Sequence, residues 1–137
     1  MHALLEYLRA EQPHINDALH RLLADLNPLV RPVAEHVLAA GGKRLRPLLL
    51  LLTARGLGRH DEDLYPLACA LEYLHSATLL HDDILDGAAL RRGRPAAHTL
   101  FGITPTVLAG DVLLALGNRL MADSGNARLT ACISNSI

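Results

Sequence analysis

Residues 75–86 read His75-Ser76-Ala77-Thr78-Leu79-Leu80-His81-Asp82-Asp83-Ile84-Leu85-Asp86, and this stretch decides the fold. In an α-helix, residues three and four apart share a face. His75, Leu79, Asp82 and Asp86 are spaced four, three and four apart, so they form one stripe. Asp83 stands beside that stripe, rotated by about 100°. Three carboxylates within five residues repel one another unless a cation sits among them. Oxygen ligands from one or two carboxylates, with water and phosphate completing the shell, suit Mg²⁺. A solvated acidic helix end is the alternative. Leu79, Leu80, Ile84 and Leu85 are poor company for a solvated surface and favour a metal site lining a cavity.

Working outward, Leu64, Leu67, Ala68, Leu71, Leu74 and Thr78 extend one helix into this stretch, with Asp61-Glu62-Asp63 supplying acids for its first turn. Gly87 closes it. Arg91-Arg92-Gly93-Arg94-Pro95 follows and reads as a loop. Its arginines have two readings, structural ion pairs with the aspartates or planar forks gripping a metal-held diphosphate. Upstream, Gly41-Gly42-Lys43-Arg44-Leu45-Arg46-Pro47 is the second informative segment. The glycines allow a tight turn, Gly41-Gly42 caps the preceding helix, and the next helix offers free N–H groups to an anion. Lys43 and Arg46 project together toward one phosphate; a loop of solvated basic residues is the alternative.

The flanks are helical throughout, with no alternating strand pattern. A short helix over residues 1–10 breaks or kinks at Glu11-Gln12-Pro13. Ile15, Leu19, Leu22, Leu23 and Leu26 mark a second helix, and Asn27-Pro28 starts a third that carries Val33, Val37 and Leu38. The run from Leu48 to Leu52 is apolar nearly all round and predicts a buried helix. Pro95 to Phe101 predicts a short helix, Thr104-Pro105 opens the next, and Asp111 within it calls for a basic or hydroxyl partner. A last helix starts at Ala127 and runs uncapped to Ile137.

Composition bounds the function. The 137 residues suffice for a single all-helical domain, 1–137, whose core rests on Leu and Ala, since there is no Trp and only one Phe. A net charge of −1 points to no nucleic-acid partner. The longest apolar run is too short for a membrane span, and Met1 to Glu6 lacks a signal peptide's basic and apolar regions. Cys69 and Cys132 match no metal spacing and read as buried thiols in a reducing, cytoplasmic setting.

Gly42-Lys43-Arg44-Leu45-Arg46-Pro47, His81-Asp82-Asp83-Ile84-Leu85-Asp86 and Arg91-Arg92-Gly93-Arg94-Pro95, in that order, resemble the trans-isoprenyl (polyprenyl) diphosphate synthases. Each motif alone is moderately specific; the three together are highly so. The resemblance implies an all-α helical bundle of the isoprenoid synthase type, N-terminal half only, because the family's second aspartate-rich motif lies on a later helix. It implies a Mg²⁺-dependent prenyltransferase that condenses isopentenyl diphosphate with an allylic diphosphate such as farnesyl diphosphate. By position, Asp82 and Asp86 hold Mg²⁺ with Asp83 in support, and Arg91 contacts the allylic diphosphate. Gly42, Lys43, Arg46, His75 and Arg92 hold isopentenyl diphosphate. His81 and His98 receive no role. A homodimer is implied as well. The family's bulky residues in the turn before the first aspartate shorten the product, so small Ala77 and Thr78 imply a long polyprenyl chain.

Terpene cyclases share the fold and a D-D-x-x-D motif, but the Gly42–Pro47 and arginine segments argue for a second diphosphate. A His-Asp phosphohydrolase would use His81-Asp82, yet no further His and Asp fall at suitable positions. A non-catalytic, diphosphate-binding fragment or subunit is the remaining alternative.

Overall fold

In the computed structural model, which describes residues 2–40 and 42–136, the helix-patterned runs become seven helices and one minimal hairpin. Helix α1 spans His2–Leu23, α2 Arg31–Ala39, α3 Leu45–Gly56 and α4 Leu64–Leu85. The hairpin pairs β1, Leu90–Arg91, with β2, Arg94–Pro95. Helices α5, Ala97–Phe101, α6, Ile103–Asp123, and α7, Ala127–Ser134, follow.

Helix α4 is the axis. Its buried residues include Ala68, Cys69, Tyr73, Leu74, Ala77 and Leu80, and its broadest partner is α6. The two helices approach through glycine. A Cβ on Gly117 would lie 2.9 Å from Leu74 Cγ, and one on Gly110 would lie 2.3 Å from His81 Nε2. Both the glycines and the residues they admit are seven apart, in opposite chain order, so α4 and α6 run antiparallel with a heptad repeat in the seam. Helices α1 and α3 pack on α4, and α2 bridges α1, α5 and α6, together burying Ile15, Leu19, Leu23, Val33, Leu38 and Leu51.

Several sequence expectations are corrected. Helix α1 continues through Pro13 instead of breaking there. Proline inside a helix removes one hydrogen bond and costs about 3 kcal/mol. Tertiary contacts on both sides offset this: Glu11 bonds Arg55 and the Tyr65 hydroxyl, and Ile15 is fully buried. Helix α2 starts at Arg31, not at Pro28, because the Asn27 side chain accepts from Leu29 N–H at 2.9 Å and holds the chain in a turn; Pro32 takes the first helical turn instead. The expected cap at Gly41 lies outside the described residues; Ala40 ends α2 by donating to His36 O.

Helix α3 is buried on one face only. Leu48 and Leu51 are 3% and 0% exposed, Leu45 and Leu49 52% and 59%, because no element among the described residues covers that outer side. Helix α4 begins after Asp61-Glu62-Asp63 rather than containing them. The arginine segment forms a hairpin where a loop was expected. Arg92 and Gly93 both adopt positive φ, 51° and 77°, as a two-residue turn requires, and two-residue strands are too short to register as alternation. Helix α6 starts at Ile103, two residues before Pro105, with the Thr106 hydroxyl donating to Gly102 O. Helix α7 is capped by Asn126 and ends at Ser134. Cys69 is buried and its thiol is pushed up to about 12, first by burial, whereas Cys132 is exposed because α7 buries none of its residues.

Candidate functional site

The head of α3, the middle of α4 and a hairpin tip meet around one cavity of about 440 Å³. The turn before α3 contributes Gly42 and Lys43, the first turn of α3 contributes Arg46, α4 contributes His75, and the hairpin tip contributes Arg92. These five residues, 50 positions apart at the extremes, are brought together because α3 and the hairpin flank the same face of α4. Lys43 and Arg46 are exposed and make no hydrogen bond or ion pair among the described residues, so their charges are available to a ligand. A Cβ on Gly42 would sit 3.3 Å from Arg92 Nη1, so glycine there gives the guanidinium room. Burial, then the positive charge of Arg46, hold the His75 pKa below its ordinary value, with Glu72 opposing and Arg92 and Arg91 reinforcing. The shift favours the neutral imidazole, which can donate one hydrogen bond.

Further along α4, the three aspartates separate into two kinds. Asp82 and Asp86 are exposed, one turn apart, and Asp86 N–H bonds Asp82 O at 2.8 Å. Neither carboxylate is committed to a hydrogen bond or ion pair among the described residues. Asp83 is 4% exposed and fully engaged: Arg91 Nε donates to its Oδ2 and Arg91 Nη2 to its Oδ1, both at 2.7 Å. That bidentate pair raises the Arg91 pKa, first through the hydrogen bond to Asp83, against the cost of burial. Asp82 and Asp86 add to it electrostatically, so all three carboxylates feel the same guanidinium.

The two readings of the arginine segment thus divide by residue. Arg91 makes a structural ion pair, Arg94 donates to Ala39 O at 2.7 Å, and Arg92 lines the cavity. Asp111, expected to need a partner, has a 60% exposed carboxylate 3.5 Å from His81 Nε2, so water already satisfies much of it.

A divalent ion suits the donor set. Two unpaired hard carboxylates on one helical stripe are what Mg²⁺ uses when water and phosphate supply the remaining ligands. Among the described residues, no group of three or more His, Cys, Asp or Glu is placed to hold a metal ion by itself.

Sequence reasoning passed over two residues of this site, Arg44 and Glu72. Arg44 sits at the head of α3 in the left-handed region, φ 50° and ψ 38°, and its side chain turns inward. Its Nη1 donates to Glu72 Oε1 at 2.8 Å, Nη2 to Leu38 O at 2.7 Å, and Nε to Asn16 Oδ1 at 2.9 Å. Both ionised side chains are 9% exposed. The available signal was Glu72, an acid inside the otherwise apolar run from Leu64 to Leu74; a buried acid needs a cation.

Known proteins match this chain along most of its length. The family model described as Polyprenyl synthetase matches residues 27–137. The farnesyl diphosphate synthase of Geobacillus stearothermophilus is 38% identical over 128 residues, covering 90% of this chain and 43% of that protein. The geranylgeranyl pyrophosphate synthase of Geoglobus acetivorans is 44% identical over 112 residues, 80% of this chain and 35% of that one. Among solved structures, a decaprenyl diphosphate synthase from Rhodobacter capsulatus superposes with a TM-score of 0.88 at 38% identity, over 97% of this chain and 41% of that chain. A polyprenyl synthase from Caulobacter crescentus CB15, complexed with calcium and isoprenyl diphosphate, does so at 0.87 and 37% identity, over 96% and 40%. The chain therefore spans about two fifths of the length of the curated relatives it matches.

Proposed function

The chain belongs to the polyprenyl synthetase family, and from that premise we propose that it carries the two diphosphate sites of a Mg²⁺-dependent prenyltransferase. One observation carries the reading: Gly42, Lys43, Arg46, His75 and Arg92 share a cavity, and the His75 stripe of α4 continues to the unpaired Asp82 and Asp86.

In the proposed reaction, the allylic C–O bond breaks with its electron pair leaving on diphosphate. The alkene of isopentenyl diphosphate attacks the carbocation, and a proton leaves the condensed chain. Negative charge builds on the departing diphosphate, and stabilising it is the main catalytic demand. Mg²⁺, held by Asp82 and Asp86, would supply that stabilisation as a Lewis acid. Lys43, Arg46 and Arg92 hold isopentenyl diphosphate by charge, with neutral His75 donating a hydrogen bond and Gly42 giving Arg92 space. Asp83 supports the metal-binding pair by holding Arg91, whose guanidinium faces the same acidic helix end and meets the allylic diphosphate with its remaining N–H groups. Ala77 is buried and Thr78 is half-buried, and as small residues before Asp82 they leave room for a long polyprenyl product. The homodimer and the cytoplasmic setting belong to the same proposal.

The test is condensation of labelled isopentenyl diphosphate with farnesyl diphosphate by this chain, with and without Mg²⁺, with the products sized. Mg²⁺-dependent polyprenyl product is expected, reduced about a hundredfold or more by Asp82→Ala. The double variant Ala77→Phe with Thr78→Phe is expected to shorten the product, and unchanged lengths would sink the chain-length argument. The second reading is a diphosphate-binding half-site without catalysis, favoured by the commitment of Asp83 to Arg91, which leaves two of the three aspartates for a metal. It predicts pyrophosphate binding sensitive to Lys43 and Arg46, with no condensation at all.

A further inference from the structure

Three basic residues fall within four positions at the head of α3, yet the backbone sends them to different places. Lys43 and Arg46 are exposed beside the cavity. Arg44 is buried, and its guanidinium ties three helices at once: Asn16 of α1, Leu38 O of α2 and Glu72 of α4. The left-handed backbone at Arg44 is unfavourable for a residue with a Cβ. Such a conformation persists only where its surroundings over-determine it, and three aimed hydrogen bonds do so here. Glu72 lies on the face of α4 that also bears His75 and Ser76, and it lines the same cavity. An uncompensated carboxylate there would repel an anionic ligand.

We propose that Arg44 and Glu72 are positioning residues for diphosphate binding. The buried fork fixes the rotation of the 42–46 turn so that Lys43 and Arg46 face the cavity with their charges unspent. Its charge also cancels that of Glu72 inside the cavity wall. A lysine at 44 would keep the charge but reach only one of three acceptors that lie in different directions. The inference rests on the reading of this cavity as a diphosphate site.

The experiment measures the affinity of inorganic pyrophosphate for the chain by calorimetry without metal, with far-UV circular dichroism as the check on folding. The decisive variant is Arg44→Gly combined with Glu72→Gln. Glycine accepts the positive φ, no buried charge is left unpaired, and net charge is unchanged, so the fork is removed without stranding a charge. Weakening by about tenfold or more with helicity retained is expected, since charged hydrogen bonds to the ligand would be misplaced. Arg44→Lys is expected to weaken binding in the same direction. Affinity within about twofold of the unaltered chain in both variants would overturn the proposal. Lys43→Ala with Arg46→Ala separates the two levels of inference. If that change weakens binding and the fork variants do not, the positioning role falls while the site stands. If it leaves binding unaltered, the site reading falls and takes the positioning role with it.

Discussion

Arg91→Met is expected to cost the folded chain about 3 kcal/mol, read as a loss of urea resistance by far-UV circular dichroism. The substitution keeps an unbranched apolar stem and removes only the fork. Behind it stands Asp83, 4% exposed, whose two oxygens both receive their hydrogen bonds from Arg91. Removing one partner of a buried pair leaves a charge with neither water nor counter-ion, and that penalty exceeds the net worth of the pair itself. The estimate stands at the lower end of the usual range because the Arg91 side chain is 27% exposed, so water can reach part of the gap. The hairpin is released at the same time, because Arg91 lies on β1 and its partner on α4. Adding Asp83→Asn to the variant should recover more than half of the loss, giving a large coupling between the two sites. A loss below about 1 kcal/mol, or no recovery in the double variant, would show that the pair does not carry the attachment of hairpin to helix.

Gly117→Val is the second large effect, and it works through volume. A single added carbon at Gly117 would lie 2.9 and 3.0 Å from two carbons of Leu74 and 3.1 Å from the carbonyl oxygen of Ala70. Leu74 is 4% exposed and has nowhere to swing, and the Ala70 carbonyl moves only if α4 moves. Overpacking a tight interior costs about 1–3 kcal/mol, and valine adds two methyl groups beyond that first carbon. A fall in melting temperature on the order of 10 °C is expected from calorimetry. Gly56→Ala is the control: nothing lies within 4 Å of its added carbon, and replacing a helical glycine should gain up to about 1 kcal/mol. Equal behaviour of the two variants would dismiss the glycine seam as the reason α4 and α6 approach so closely.

These two effects also show what sequence could convey. The 3.6-residue period of Leu64, Leu67, Leu71 and Leu74 announces α4, and the stripe His75, Leu79, Asp82, Asp86 announces which way its acids face. Asp83 is visibly off that stripe. That it meets Arg91 depends on a two-residue turn returning the chain to α4, and strands of two residues leave no period to read. Arg44 looks like its neighbours Lys43 and Arg46 in sequence, and only its positive φ turns it inward. The run Leu48 to Leu52 predicts burial all round because hydrophobicity records which residues tolerate a core; which neighbours cover them is a tertiary matter. Pro13 predicts a break or kink because local preference is all that sequence shows there, and contacts from α3 and α4 keep the helix continuous.

That proline gives α1 two clocks. Pro13 contributes no amide and leaves the Arg9 carbonyl without its usual donor, so the ladder of the helix is interrupted once. After it, Ile15, Leu19 and Leu23 are sealed against the bundle; before it, Leu4 and Leu5 are 45% and 47% exposed. The bonds of Glu11 to Arg55 and Tyr65 latch the first half to α3 and α4. Amide deuteration should therefore run at two rates along one continuous helix, with residues 6–12 exchanging through local opening while residues 16–23 wait for the whole bundle to open.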